Sequence, residues 1–291
     1  MLIESKKKIL DLLPENLIPT TLFFNHPVSK DEVLEAMDQH SLHFPVIVKP
    51  DYGERGQRVE KIEDSVELFN YLKTNRLNII LQEFIDYPEE LGIFYIRYPD
   101  ERTGRITSIV KKKLLFITGD GVSNVHDLIR GHPRAFIQLK TIQQKHPDLM
   151  NFVPARNEKV ELVPIANHCR GTTFLDGNDL INPKLTGVMD RIGDGIKGFY
   201  YGRFDIRCQS IQDLNDGINF KILELNGAKS EPAHIYQPGF SISEAYRVMF
   251  QHWDEMYRIA QINKSRGIRL PAFRDGWAAW RKFRHYSKLR N

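Results

Sequence analysis

Cysteine is nearly missing from this chain: Cys169 and Cys208 are the only two in 291 residues. Two thiols cannot build the disulfide framework of a small secreted domain, so a reducing, cytoplasmic setting is the default expectation. No stretch approaches the roughly 18 consecutive apolar residues of a membrane-spanning helix. Lys6, Lys7 and Lys8 near the N-terminus are not followed by a long apolar segment, so a secretory signal is not expected. There is no internal repeat and no low-complexity tract. No nucleic-acid-reading motif occurs, and nucleic acid is not an expected partner.

What remains is an ordinary soluble composition, 41% hydrophobic and 27% charged, long enough for a sizeable core in two lobes. Charge is unevenly placed. From Lys264 onward nine Lys or Arg stand against one acid, Asp275, a net +8. The whole chain carries +4, so residues 1–263 carry −4. Such a tail is either a solvated helix end or a contact for an anionic surface.

Periodicity sketches the elements. Helices are expected over 5–13 and 31–40, and over 64–72 with Asp64 as N-cap. Strands are expected over 44–50, 58–62, 78–85 and 91–98, with a glycine-containing turn at 51–56. Residues 105–117 read as one long strand. A helix starts at Val125, and 135–163 read as helical and then looped. Glycines 187, 193, 195 and 198 surround a helix-like segment. A strand follows over 201–208, and a helix over 241–261.

Two short stretches carry the most chemistry. Gly202-Arg203-Phe204-Asp205-Ile206 sets Asp205 inside an apolar run, and Phe220-Lys221-Ile222-Leu223-Glu224-Leu225-Asn226 places Glu224 and Asn226 two apart. A strand repeats every two residues, so Glu224 and Asn226 share a face. If the stretches pair as a hairpin across 207–219, Asp205 lies beside them. Three oxygen donors with two formal charges then form one wall, suited to a hard divalent cation carrying a polyphosphate. The plainer alternative is a partly buried polar face satisfied by backbone groups.

The order of parts over residues 5–261 resembles the ATP-grasp superfamily, and within it the D-alanine–D-alanine ligase-like branch. The resemblance implies an α+β fold in which two lobes grip ATP, with Mg2+ (Mn2+ as an alternative) held by Asp205, Glu224 and Asn226. It implies ligation of a small carboxylate to an amine, an amino acid or peptide, through an acyl phosphate. Pro45-Val-Ile-Val-Lys49-Pro50 is similar to the family's lysine strand, whose lysine meets the phosphates as a point charge. Residues 51–57 stand where relatives have a glycine-rich flap, with Glu54 and Arg55 replacing the small residues common there.

Leu81-Gln-Glu83-Phe84-Ile85 is similar to the adenine strand, with Glu83, Phe84 and Ile85 as its nucleotide-binding residues and a register uncertain by one. Glu90 matches the acid that accepts the ribose hydroxyls, and Glu89 is its alternative. Ser108 to Lys113 resembles a basic strand of peptide- and amino-acid-using ligases. Lys111 and Lys113, which share a face, would then meet the triphosphate. The alternative is a plain basic edge strand. His168-Cys-Arg170-Gly171-Thr172 resembles the polar segment before the metal wall, and makes Arg170 a second catalytic candidate. Gly202-Arg203-Phe204-Asp205 matches a stretch whose arginine stabilises the tetrahedral intermediate; here that residue is Arg203.

Two departures stand out. Only about 40 residues precede Phe44, too few for the N-terminal Rossmann-like domain of the family. The expectation is therefore that this domain is absent or that the chain is a fragment. The loop Gly227-Ala-Lys229-Ser-Glu231-Pro-Ala-His234 carries more charge than its counterpart, which argues against D-alanine itself. The expected organisation is a leading segment 1–20, a small lobe 21–88, a large lobe 89–263 and a basic aromatic tail 264–291. In the tail Trp277, Trp280, Phe283 and Tyr286 would form a helical stripe. That stripe would pack on the body or on a second subunit, or dock on an anionic membrane surface. The rival functions are a non-catalytic nucleotide-binding module and an ATP-grasp phosphotransferase.

Overall fold

The structure is a computed structural model that describes residues 5–53, 56–269 and 271–290, without the side chains of 279, 282, 283 and 285–290. The chain divides into two compact units, Met1–Lys111 with Leu175–Asn291, and Lys112–Phe174.

The first unit opens with the short helix α1 (Lys6–Leu10), capped by the Ser5 hydroxyl, which accepts the Lys8 N–H. An antiparallel sheet follows, built from β1 (Thr21–Phe24), β2 (Val46–Pro50), β3 (Glu60–Ile62) and β4 (Ile79–Glu83), in the order β1-β4-β2-β3. Two helices accompany it, α2 (Lys30–Gln39) and α3 (Ser65–Thr74). Each has a side-chain cap at its start. Ser29 and Glu32 form a reciprocal capping box on α2, and Asp64 accepts from Val66 and Glu67 N–H on α3. Their apolar sides, Val33 and Met37, Leu68 and Tyr71, share one core with Val46, Val48 and Leu81 of the sheet. Strand β1 has no place in the periodicity reading, because its four residues are too few to establish a pattern.

The second sheet begins with β5 (Glu89–Ile96) and β6 (Arg105–Lys113), and here the single strand expected over 105–117 is corrected. The chain breaks at Leu114, and β7 (Leu115–Thr118) belongs to a different sheet in the second unit. No glycine or proline marks the break, and both halves are β-rich, so the sequence reads through it.

The second unit continues with α4 (Val125–Gly131), α5 (Leu139–Lys145) and β8 (Lys159–Val163), and β8 pairs antiparallel with β7. Strand β8 lies where loop is expected. Leu115, Ile117, Val125, Ile129, Ile142 and Leu162 form the core of this unit.

Strand β9 (Thr173–Asp176) leads back, followed by α6 (Pro183–Asp194), β10 (Tyr201–Cys208), α7 (Ile211–Asp216) and β11 (Phe220–Asn226). The large sheet runs β11-β10-β5-β6-β9. One face is apolar: Leu91, Ile93, Ile109, Phe204 and Ile206 meet Leu185, Val188 and Ile192 of α6. The other face carries the site.

Helix α8 (Ile242–Ser265) packs Met256 and Ile259 near Phe94, Ile96 and Tyr201. Glu255 ties it to the sheet, accepting from Tyr98 Oη at 2.5 Å and pairing with Arg105 at 2.6 Å. Helix α9 (Phe273–Arg290) ends the chain. Trp277 and Trp280 stack there at 4.8 Å, with the Arg284 guanidinium 5.1 Å from the Trp280 ring. The side chains of Phe283 and Tyr286, the rest of the expected stripe, lie outside the described residues.

Candidate active site

The site starts from strand alternation. In the antiparallel pair β10–β11, Asp205 stands opposite Glu224 and Arg203 opposite Asn226. The four side chains therefore occupy one face in two adjacent rows. On the other side of β10, Gly92 stands opposite Asp205, and Phe94 opposite Arg203. The hairpin expected from the sequence is formed, with α7 filling its connection.

Arg203 bridges the rows. Its Nε donates to Asp205 Oδ1 at 2.8 Å and its Nη2 to Oδ2 at 3.3 Å, while Nη1 donates to the Glu231 carbonyl at 3.3 Å. Burial works against the guanidinium charge, but Asp205, Glu224 and Glu231 outweigh it and push its pKa upward. Gly92 makes room for this arrangement. A Cβ at that position would lie 3.1 Å from Arg203 Cδ and 3.2 Å from Asp205 Oδ1.

Lys49 joins the small sheet to the wall. It is buried on β2, and its ammonium donates to Gln82 Oε1 at 2.8 Å and to the Leu223 carbonyl at 3.4 Å. The Leu223 carbonyl is reachable because β11 bulges there: Asp205 pairs with Glu224, but Ile206 already pairs with Ile222. Burial pulls the Lys49 pKa down to about 8, with Glu224 opposing the fall and Lys6 adding to it. Helix α1 braces the loop that follows. Ser5 Oγ and Lys7 N–H both donate to Asp51 Oδ1 at 2.9 Å, and Lys6 Nζ donates to the Gly53 carbonyl at 2.8 Å. Glu54 and Arg55, the flap departures, lie outside the described residues.

The donor set fits a hard divalent cation. Among the described residues Glu224 makes no hydrogen bond, and Asn226 Nδ2 is buried without a partner. A buried polar atom without a partner calls for one, and because amide O and N are assigned rather than observed, a flip sets an oxygen donor there. Asp205 accepts one bond from Arg203 on each oxygen and stands opposite Glu224. No cluster of three His, Cys, Asp or Glu occurs among the described residues. The wall has two carboxylates and an amide, an oxygen set of the kind Mg2+ accepts while keeping part of its water.

Beyond Asp205, alternation along β10 brings Arg207 to the same face. Its Nε donates to Glu90 Oε2 at 2.8 Å and its Nη1 to the Ile85 carbonyl at 2.6 Å, both buried. Glu90, the residue expected at the ribose, is thus also the buried partner of Arg207. Glu89 is exposed, one residue earlier and so on the other face. Arg207 itself goes unread in the sequence, although the spacing 203, 205, 207 places all three on one face.

Lys111 lies apart from the wall. Val110 shares the face of Gly92 and Asp205, so Lys111 points to the opposite face, where its ammonium pairs with Asp179 at 2.9 Å. Lys113 and Arg170 belong to the second unit. Lys113 is exposed, and Arg170 ends a short 3-10 turn, His168–Arg170. In the adenine segment, Glu83 N–H donates to the Thr20 carbonyl at 2.9 Å, and Glu83 Oε2 accepts from Thr20 N–H at 3.0 Å. The Phe84 ring has the Lys61 ammonium at 4.4 Å and the Arg207 guanidinium at 5.5 Å.

Comparison with known proteins adds the following. Residues 3–111 match the RimK-like ATP-grasp domain. No curated protein matches the chain. Among solved structures, D-alanine–D-alanine ligase from Bacillus anthracis is similar at 15% identity and a TM-score of 0.45, over 90% of this chain and 67% of that one. The D-cycloserine synthetase DcsG is similar at 14% identity and a TM-score of 0.47, over 87% of this chain and 69% of that one. A bifunctional glutathione synthetase from Pasteurella multocida is similar at 14% identity and a TM-score of 0.42, over 86% of this chain. The chain spans only 35% of the length of that synthetase.

Proposed function

Proceeding from an ATP-grasp fold that the RimK-like domain matches over residues 3–111, we propose that this chain is an ATP-dependent carboxylate–amine ligase. ATP-grasp ligases use ATP with Mg2+. The observation that carries the reading is the two-row array Asp205–Glu224 and Arg203–Asn226, with Lys49 bonded to the bulge between Glu224 and Ile222.

In this reading a substrate carboxylate oxygen attacks the γ-phosphorus of ATP, the bond to ADP breaks, and an acyl phosphate forms. An amine then attacks the acyl carbon, phosphate leaves, and an amide remains. Asp205, Glu224 and Asn226 would hold the cation. When bound, Mg2+ supplies neutralisation of phosphate charge. Lys49 meets the phosphates from the small sheet as a compact charge. Arg203 is the donor placed for the oxyanion that develops on the acyl carbon, and a fixed donor in such a position contributes on the order of 3–4 kcal/mol. Positioning and charge neutralisation do the work, and neither cysteine takes part.

The bonds already made around the adenine segment divide the remaining roles. Glu83 N–H and the Ile85 carbonyl are engaged, so the Glu83 carbonyl is the acceptor for the purine amino group, and Ile85 N–H is the donor to the ring nitrogen. Phe84 lies between them.

A screen of amino acids and short peptides for MgATP-dependent phosphate release tests the proposal. The expected result is ADP, phosphate and an amide in equal amounts. A phosphorylated product without an amide would assign a phosphotransferase. MgADP binding with no turnover on any acid–amine pair would assign a non-catalytic module.

A further inference from the structure

Helix α8 has two apolar faces, and among the described residues only one of them is buried. His252 and Ile259 are buried against the sheet. On a separate stripe, Ile242, Tyr246, Phe250, Trp253 and Tyr257 are 77, 61, 60, 49 and 63% exposed. Their spacing of four, four, three and four keeps them within about 80° on a helix that turns 100° per residue. The side chains already touch one another in sequence. Tyr246 and Phe250 centroids are 6.5 Å apart, and those of Phe250 and Trp253 5.4 Å, the latter edge-on. A contiguous aromatic stripe of this length is more than scattered surface apolarity.

We propose that this stripe is a homodimer interface, in which α8 of a second copy lies antiparallel across it. The charges along the helix select that occupant and that direction. Arg247 and Asp254, of opposite sign, flank the stripe on the same side of the helix. A two-fold axis that sets Phe250 over Trp253 of the partner subunit also sets Tyr246 over Tyr257 of the partner subunit. In that register Arg247 comes within two residues, about 3 Å along the axis, of Asp254 of the partner subunit. A parallel pairing would set every charge against its own like. Within one copy Arg247 and Asp254 make exposed contacts, Arg247 with Glu244 and Asp254 with Arg258. Exposed pairs of this kind contribute little and exchange partners at little cost. The arrangement is isologous and self-closing, as a two-fold dimer requires.

Sedimentation velocity on the full chain, across micromolar concentrations, tests this. The wild type is expected to be dimeric. Phe250→Glu, at an exposed position, is expected to be monomeric with an unchanged circular dichroism spectrum. Arg247→Asp and Asp254→Arg are each expected to weaken the dimer by about tenfold or more, because each sets like charges together. Mixed in equal amounts, the two single variants carry opposite charges at both contacts and are expected to form a heterodimer as tight as the wild-type dimer. A wild type that stays monomeric at high micromolar concentration overturns the proposal. So does a dimer that survives Phe250→Glu and both charge reversals, which would place the contact elsewhere, with α9 the next aromatic face.

Discussion

Gly92 and Asp205 stand opposite each other across β5 and β10, and the missing side chain of one is the space occupied by the other. A Cβ at Gly92 would also meet Val110 Cγ1 at 2.8 Å, so the position is closed on both sides. Overpacking of this sort costs about 1–3 kcal/mol. Gly92→Ala is therefore expected to displace the Arg203–Asp205 pair. ATP turnover should fall further than the loss in melting temperature explains. Turnover at the wild-type rate would show that the wall tolerates the methyl group.

Glu224 is the wall carboxylate without a hydrogen bond among the described residues, so its charge is the least committed. Glu224→Gln keeps the shape and removes the charge. Turnover is expected to fall by roughly two orders of magnitude or more, with the fold intact. Retained MgATP-dependent activity would remove Glu224 from the metal set.

Arg203→Ala separates catalysis from binding. Its proposed partner exists only along the reaction path, so amide formation should drop by roughly 100-fold or more while ADP affinity changes little. A loss confined to nucleotide affinity would reassign Arg203 to the phosphates.

Lys49 gives a pH test. Its pKa in the folded chain is about 8, below an ordinary 10.5. Below pH 8 the ammonium is charged in both folded and unfolded chains. Between 8 and 10.5 the unfolded chain holds more protons, so this group's contribution to stability rises with pH. Phosphate binding runs the other way, because the charge on the folded chain is being lost. ADP affinity is expected to weaken above pH 8, and Lys49→Arg to flatten that dependence. Isothermal titration between neutral and alkaline pH measures both.

His252 gives the opposite window. It is buried against Phe94 and the Tyr201 hydroxyl, with His234, Glu255 and Arg105 nearby, and burial first, then His234, pulls its pKa from 6.5 to about 4. Above 6.5 it is neutral in both states. As pH falls from 6.5 to 4 the unfolded chain takes up the proton first, and stability on the order of 3 kcal/mol is lost. Acid unfolding followed by circular dichroism should show this slope, and His252→Gln should reduce it. An unchanged slope would place the proton uptake elsewhere.

Period-two alternation made the wall legible: Asp205, Glu224 and Asn226 share a face because the strands repeat every two residues, and the hairpin follows from two apolar runs. The caps at Ser29 and Asp64 were equally local, although only Asp64 announced itself. What escaped was set by distant partners. The break between β6 and β7 has no local marker, because it depends on which sheet each half joins. The face of Lys111 is not legible because alternation within β6 says which lysines agree, not which face meets Asp205; that depends on the register with β5. The bond between Glu90 and Arg207 is not legible because the two are 117 residues apart in sequence.

The second unit, Lys112–Phe174, is inserted between two strands of the first that are neighbours in the large sheet. The two chain ends that receive it are thus side by side, about one strand spacing apart, roughly 5 Å. Such an attachment asks nothing of the insert except that its own termini meet. The insert can grow, shrink or be exchanged over evolutionary time while the strands bearing Arg203, Asp205 and Glu224 keep their register. The wall and the insert are separable inheritances, one fixed by strand pairing and the other open to revision.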